Sequence, residues 1–362
     1  MFYQKILRPI LFKTDPEKIH HFVVGGLSLV SNIKPLASLI RKYLNISDQV
    51  LAVKIGNLQF SNPIGLAAGF DKNITAPSAY SMLGFGYAEL GSVTLSAQTG
   101  NQKPRLWRIP KDKGLIVYYG LANCGVEVVV QKMKKIKERL IPLGLSIAPT
   151  TGLTMTEMAA DYGRSFEKLI PFADYVTLNV SCPNVANCEM FAQISFIKEL
   201  TEKINNLKNK LNSTIDIFLK IGPDMTMDQY DKIVDICIQN NITAIISTNL
   251  IKNRSNLISI SNAEELNHPG GISGKLVGDK NLEIIKHLYR RANGKIKIIG
   301  VGGIFSSQDA YKKIKAGASA LQLITGFIYN GPMAVRNINR ELVSLLKKDG
   351  YRNIEEAVGK DV

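Results

Sequence analysis

Eight short apolar runs, each followed by a stretch with helical character, constrain this chain more than any other feature. The runs are Pro63–Ala68, Tyr87–Thr94, Leu145–Pro149, Tyr175–Val180, Ile215–Ile221, Ala244–Thr248, Lys297–Val301 and Ala320–Thr325. They are rich in β-branched and aromatic residues and end in, or run directly into, Gly, Ser or Thr, which marks them as buried strands. Strands that alternate with helices pair in parallel, because a crossover helix returns the chain to the same end of the sheet. Eight of them in 362 residues predict an α/β fold, a (β/α)8 TIM barrel, over an open doubly wound sheet. Helix starts are marked by Thr154-x-x-Glu157, Thr226-x-x-Gln229 and Ser306-x-x-Asp309, where the hydroxyl and the later side chain satisfy each other's backbone N–H. The expected organisation is an N-terminal amphipathic helical extension (1–50), the barrel (51–350) and a C-terminal tail (351–362). The segments Asn205–Asn212 and Lys252–Asn262 read as polar connections, and no repeat or low-complexity tract interrupts the pattern.

Residues 1–50 carry seven basic side chains against Asp15, Glu17 and Asp48, a net charge of +4. Phe2, Ile6 and Ile10, then Ile19, Phe22, Val23, Leu27 and Val30, recur at helical spacing. Asp15-Pro16 reads as an N-cap followed by the proline suited to the first helical position. Two short amphipathic helices are expected, either a cap packed on the barrel or a module lying on a membrane surface. Nowhere do 18 apolar residues run together uncharged, so no spanning helix is expected. Asp15, Glu17 and Lys18 interrupt any signal-peptide pattern. The whole chain carries a formal charge of +15, which favours anionic partners. No basic cluster interleaved with aromatics occurs, so no nucleic acid partner is expected. Cys124, Cys182, Cys188 and Cys237 form no C-x-x-C pair and lie at no metal-ligand spacing from a histidine. Reduced thiols, a cytoplasmic setting and no metal follow. The four histidines are scattered and read as structural or surface residues, His20 as a helix-packing residue.

In a barrel of this kind the chemistry gathers at the C-terminal ends of the strands. The polar residues there are Lys72, Ser92, Asn179, Cys182, Asn184, Lys220 and Asn249. Asn179-Val180-Ser181-Cys182-Pro183-Asn184 holds two carboxamides able to donate and accept at a planar ligand. Cys182 between them could move a proton or act as a nucleophile. Ala67-Ala68-Gly69 ends the first strand with residues too small to crowd a flat ring. Two glycine-rich turns, Gly270–Gly274 and Gly300–Gly303, together with Thr325-Gly326, suit a phosphate held by backbone N–H groups after the last two strands. Lys220 could place positive charge beside the N1–C2=O edge of a flavin.

Together these residues resemble the dihydroorotate dehydrogenase family, over nearly the whole chain. Asn62-Pro63-Ile64-Gly65-Leu66-Ala67-Ala68-Gly69-Phe70-Asp71-Lys72 is similar to its first-strand motif, and Gly100-Asn101-x-Lys103-Pro104-Arg105-Leu106-x-Arg108 to the following loop. Ile299–Ile304 and Ala316–Ser319 are similar to its phosphate-end segments. Leu11-Phe12-x-x-Asp15-Pro16-Glu17-x-x-His20-x-Phe22 resembles the quinone-reducing, membrane-associated class, whose N-terminal helical pair forms a quinone access tunnel. The resemblance implies FMN held by Ala67, Ala68, Gly69, Ser92, Asn179, Lys220, Thr248, Gly274, Gly303 and Thr325. It implies a dihydropyrimidine-like substrate held by Lys72, Asn179, Asn184 and Asn249, and Cys182 as the catalytic base. It also implies a quinone partner with Arg108 lining the tunnel, and a peripheral protein on the cytoplasmic face of the inner (cell) membrane, attached through residues 1–50.

Several positions depart from the family pattern. The quinone class has serine where Cys182 stands. A thiol, with an ordinary pKa of about 8.5, is the more accessible base. Val117 replaces an asparagine that holds the substrate ring, Leu121 a phenylalanine, Val185 and Leu250 threonines, and Ile324 a tyrosine. Ser146 and Ala148–Thr151 replace an Asn-x-Gly-Lys-Asn pattern near the flavin. The expected activity is FMN-dependent oxidation of dihydroorotate to orotate with electrons passed to a quinone. The alternative is a related flavin oxidoreductase acting on a different, less polar substrate. A membrane-surface binding module without turnover is the third reading.

Overall fold

The structure, a computed structural model, describes residues 2–181, 184, 193–252, 254, 261 and 263–362. Its centre is a closed barrel of eight parallel strands: β1 (Ile64–Leu66), β2 (Tyr87–Val93), β3 (Leu143–Ile147), β4 (Tyr175–Asn179), β5 (Asp216–Ile221), β6 (Ala244–Ser247), β7 (Lys297–Val301) and β8 (Ala320–Leu323). All eight expected runs are barrel strands. Neighbours follow chain order and β8 closes on β1 through Leu321–Ile64, Gln322–Gly65 and Leu323–Leu66. A strand covered on both faces has no polar side to show, hence the nearly unbroken apolar runs. Small residues on one strand make room for rings on the next. A Cβ at Gly144 would fall 2.0 Å from the Tyr175 ring, so this layer interdigitates only with glycine there.

The barrel interior is not wholly apolar. Glu89 on β2, fully buried, accepts from Thr177 Oγ1 at 2.9 Å and Gln322 Nε2 at 3.0 Å, and its other oxygen lies 3.8 Å from Lys220 Nζ. A buried cation survives because a carboxylate compensates it. The three expected capping boxes form at Thr154, Thr226 and Ser306.

Two regions differ from the reading of the sequence. First, residues 1–50 form three helical segments, not two. A π-helical turn (Tyr3–Leu7) runs into Arg8–Phe12; α1 spans Pro16–Asn32 and α2 spans Lys34–Leu44. Pro35 starts α2 as Pro16 starts α1, and Leu44 anchors α2 in the main core. As expected, Asp15 caps α1, accepting from the Lys18 N–H at 2.8 Å. Second, Gly271–Gly274 is not a turn. It pairs antiparallel with Gly114–Val117, which pairs with Leu106–Ile109, forming a three-stranded sheet with its own small core of Ile109, Ile116, Ile251, Ile272 and Val277. Asn205–Asn212, read as a connection, largely continues the helix Ile194–Lys210.

The N-terminal segments are tied to the barrel by specific contacts. Tyr3 donates its hydroxyl proton to the Ile328 carbonyl at 2.6 Å, and Arg8 donates to the Tyr329 carbonyl at 3.0 Å. Glu17 of α1 is 5% exposed and accepts from Arg105 Nη2 at 2.8 Å. At the other end of the chain, Ile354 and Ala357 are fully buried in the main core.

Candidate functional site

A cavity of about 1300 Å³, its open mouth included, lies at the C-terminal ends of the strands. The barrel supplies its floor: Ala67, Ala68 and Gly69 after β1, Ser92 on β2, Asn179 on β4, Lys220 on β5, Thr248 and Asn249 after β6, Gly303 after β7 and Thr325 after β8. Lys72 and Asn184 stand beside them, and Gly274 comes from the three-stranded sheet. Thirteen of the fourteen expected site residues thus line one space, although they are spread over more than 250 residues of chain. The fourteenth, Cys182, lies outside the described residues, as do Pro183, Val185 and Cys188.

The carboxamides are oriented by a chain of hydrogen bonds across four strand ends, those of β2, β3, β4 and β6. Ser92 Oγ lies 2.7 Å from Ser146 Oγ and accepts from Asn179 Nδ2 at 2.8 Å. Asn179 Oδ1 accepts from the Ser181 hydroxyl at 2.7 Å and the Ser181 N–H at 3.2 Å. Asn249 Nδ2 donates to both Ser181 Oγ and the Ser181 carbonyl at 3.0 Å, and Asn249 Oδ1 accepts from the Leu250 N–H at 2.8 Å. Asn184, 6% exposed, keeps its Oδ1 buried with no hydrogen-bond partner among the described residues. An orphaned buried acceptor is costly, of order 1–3 kcal/mol, unless a ligand N–H meets it.

On one side the cavity is framed by Tyr119. Lys72 Nζ sits 3.7 Å above its ring and donates to the Gly69 carbonyl at 2.7 Å. The Tyr119 hydroxyl is buried without a partner among the described residues, and burial raises its pKa. Asn101 fixes this loop. Its amide donates to the Tyr118 carbonyl at 3.1 Å and the Asn184 carbonyl at 2.9 Å. Arg105 in turn donates to the Thr99 and Asn101 carbonyls at 2.7 and 3.0 Å. The residues that depart from the family pattern, Val117, Leu121, Leu250 and Ile324, also face this cavity and make part of its wall apolar. Thr150 does not face it; its hydroxyl is bound to Asp161 at 2.9 Å.

His20 was read from the sequence as a packing residue, and the structure places it in the cavity wall. Its ring meets Phe70 edge-on at 5.0 Å. Burial, then the charges of Lys72 and His21, lower its pKa to about 3, so it is neutral at physiological pH. The signal that could have found it is its position on the inner face of α1, four residues before Val24 and three after Glu17, both buried. Arg108 is absent from the cavity wall. Its guanidinium donates to the Phe12 and Thr14 carbonyls at 3.0 and 2.6 Å and lies over the Phe12 ring, so it ties the N-terminal segment to the strand Leu106–Ile109.

The family model described as dihydroorotate dehydrogenase matches residues 50–346. A dihydroorotate dehydrogenase (quinone) of Gloeobacter violaceus is 36% identical over 357 residues, covering 98% of each chain. One of Nostoc punctiforme is 37% identical, covering 99% of this chain and 98% of the other. Among solved structures, a DHODH of Eimeria tenella in complex with ferulenol superposes with a TM-score of 0.85 at 30% identity, covering 96% of both chains. The agreement spans the N-terminal helices as well as the barrel, and on that breadth of similarity the chain belongs to the dihydroorotate dehydrogenase family.

Proposed function

We propose that this protein oxidises dihydroorotate to orotate with FMN as bound cofactor and passes the electrons to a quinone at a membrane surface. The observation that carries the reading is the set of convergent polar groups in the cavity, oriented by hydrogen bonds to one another and to the backbone. The residues present fit a flavin phosphate. Gly303, at φ +70°, packs against Gly278 so closely that a Cβ would lie 2.3 Å from the Gly278 Cα, and backbone this bare can approach a phosphate. They also fit the ring: Ala67, Ala68 and Gly69 leave a flat floor, and Lys220 is a buried cation beside it. When bound, FMN supplies the hydride acceptor and the store of electrons that the quinone empties.

The chain's own residues do the rest. Lys220 holds positive charge at the cavity floor, balanced by Glu89, which favours an anionic ligand edge without leaving the cation uncompensated. Lys72 stands over Tyr119 at the mouth, where it can meet a substrate carboxylate. The network gives Asn179 Nδ2 one bond to Ser92, leaving its second N–H to donate, while Asn184 offers an acceptor. A donor and an acceptor lining one cavity suit the N–H and C=O groups of a cyclic amide. Cys182, two residues from Asn184, takes the C5 proton while hydride leaves C6.

Residues 2–43 support the membrane part of the reading. Ten of the fifteen exposed large apolar side chains among the described residues lie there, including Phe22 at 75% and Leu29 at 72%. No single described helix is long and apolar enough to cross a membrane, and an apolar face of this kind suits a peripheral helix pair on the cytoplasmic surface.

A second reading, a less polar substrate, is favoured by Val117, Leu121 and Leu250 in the cavity wall. One experiment separates the two. Flavin-loaded protein kept free of oxygen bleaches its flavin absorbance when dihydroorotate is added, and recovers it when a soluble quinone follows. A spectrum that stays oxidised through long incubation removes the first reading. Bleaching that appears only after Val117→Asn supports the second.

A further inference from the structure

Among the described residues, Ser181 is the one bonded to the side chains of two of the proposed ring-contacting carboxamides, and neither the family resemblance nor the strand-end pattern gives it a role. It follows β4 directly. Its hydroxyl has a single proton, and the Asn179 Oδ1 at 2.7 Å is the acceptor that takes it. The hydroxyl oxygen is then left with lone pairs, and Asn249 Nδ2 donates to one of them at 3.0 Å. The direction of each bond follows from the other. Asn179 must turn its oxygen toward Ser181 and its Nδ2 toward Ser92; Asn249 must turn its Nδ2 toward Ser181 and its oxygen toward the Leu250 N–H. One hydroxyl therefore couples the amide orientations of two residues on different strands, β4 and the end of β6.

We propose that Ser181 is a positioning residue for substrate recognition: its hydroxyl locks Asn179 and Asn249 into one donor and acceptor pattern, so that the two carboxamides act as a unit. This rests on the reading of the cavity as the dihydroorotate site. Without the hydroxyl, the Ser181 backbone N–H and carbonyl still touch the two amides, but nothing couples them. Each amide then keeps its orientation only through Ser92 and backbone groups, and is held less tightly in the position the ligand needs.

The test compares Ser181→Thr, which keeps a hydroxyl, with Ser181→Val, which has the same shape without it, and with Ser181→Ala. Orotate binding is read from the perturbation of the flavin spectrum, and steady-state kinetics give KM and kcat for dihydroorotate. Two ordinary hydrogen bonds correspond to roughly a tenfold to hundredfold change. Ser181→Val and Ser181→Ala are expected to weaken orotate and raise KM by that factor while their flavin content stays that of the unaltered protein. Ser181→Thr stays within about threefold. A mutant cycle supplies the readout that a merely structural role would not move. Added to Asn179→Ala/Asn249→Ala, Ser181→Ala costs nothing further if Ser181 acts through those two residues. Orotate binding that is equal in the Thr and Val variants, or a full additive loss in the cycle, overturns the positioning role. Failure of the unaltered holoenzyme to bind orotate at all overturns the functional reading instead, and the role of Ser181 falls with it.

Discussion

The ion pair between Glu17 and Arg105 is the firmest mechanical link between the N-terminal helices and the cavity, and its removal makes a quantitative test. Glu17 accepts from Arg105 Nη2 at 2.8 Å and from Nε at 3.3 Å, with both side chains under 10% exposed. Lys103 Nζ is 3.4 Å away but largely exposed, so it adds little. Replacing Glu17 by Gln removes the compensating charge and leaves the buried Arg105 guanidinium with neutral acceptors alone, the Gln oxygen and the Thr99 and Asn101 carbonyls. Breaking one side of a buried pair typically costs about 3–5 kcal/mol, and those remaining neutral bonds place the expectation at the low end, about 3 kcal/mol. Replacing both partners by apolar residues, Glu17→Leu with Arg105→Met, should cost far less, because no charge is then stranded. Urea unfolding of the flavin-loaded protein, followed by circular dichroism and by flavin fluorescence, measures both. The pH dependence has a definite sign. Burial pushes the Glu17 carboxyl up, but Arg105 and then Lys103 outweigh it, and the net shift is below its ordinary 4.5. A lowered carboxylate contributes stability above that ordinary value and loses it as pH falls through the lower folded value. The gap between unaltered protein and Glu17→Gln should be constant above about pH 5.5 and close in more acid solution. A Glu17→Gln variant as stable as the parent at neutral pH, or a double variant as unstable as the single one, would refute the reasoning.

Three further outcomes follow from the same structure. His20 is held neutral by burial and by Lys72, so folding opposes its protonation: below its ordinary 6.5 the protein should lose up to about 1.4 kcal/mol per pH unit, a slope that His20→Leu removes in pH-dependent unfolding. Gly120 sits at φ +67° with a Cβ position 2.5 Å from the Asn101 amide; Gly120→Ala should displace Asn101 and raise KM for dihydroorotate at least about fivefold, with a kcat near the parent's. Phe22→Glu with Leu39→Glu, both more than 60% exposed, should abolish cosedimentation with phospholipid vesicles while leaving flavin bleaching by dihydroorotate intact; vesicle binding at the parental level would exclude the apolar face as the membrane contact.

The barrel was legible because its information is local. Each strand is a short apolar run bounded by turn residues, and each capped helix announces itself within four residues, as at Thr154–Glu157. The cavity floor was legible for a related reason: in a parallel barrel every strand end faces the same way, so Lys72, Asn179, Lys220 and Asn249 converge once the strands are known. Helix α2 did leave a local trace, Leu36, Leu39, Ile40, Tyr43 and Leu44 at helical spacing, which the expectation of two helices left out. Gly271–Gly274 escaped notice because its partner strand lies more than 150 residues earlier, and a ladder that remote leaves no trace in the glycine-rich segment itself.

By itself, then, the order of residues determined the count of strands, their direction, the capped helix starts and the set of polar groups at one end of the barrel. Period and capping are properties of neighbours in the chain. Only the tertiary structure decided which of those groups are committed to each other. It gave Ser181 the amides of Asn179 and Asn249, left the Asn184 oxygen without a partner among the described residues, bound Arg108 to backbone carbonyls of the N-terminal segment and brought His20 into the cavity wall. The physical reason is that a hydrogen bond or a buried charge is settled by distance and desolvation in space, and contacts between residues some seventy positions apart along the chain have no local period from which to read them.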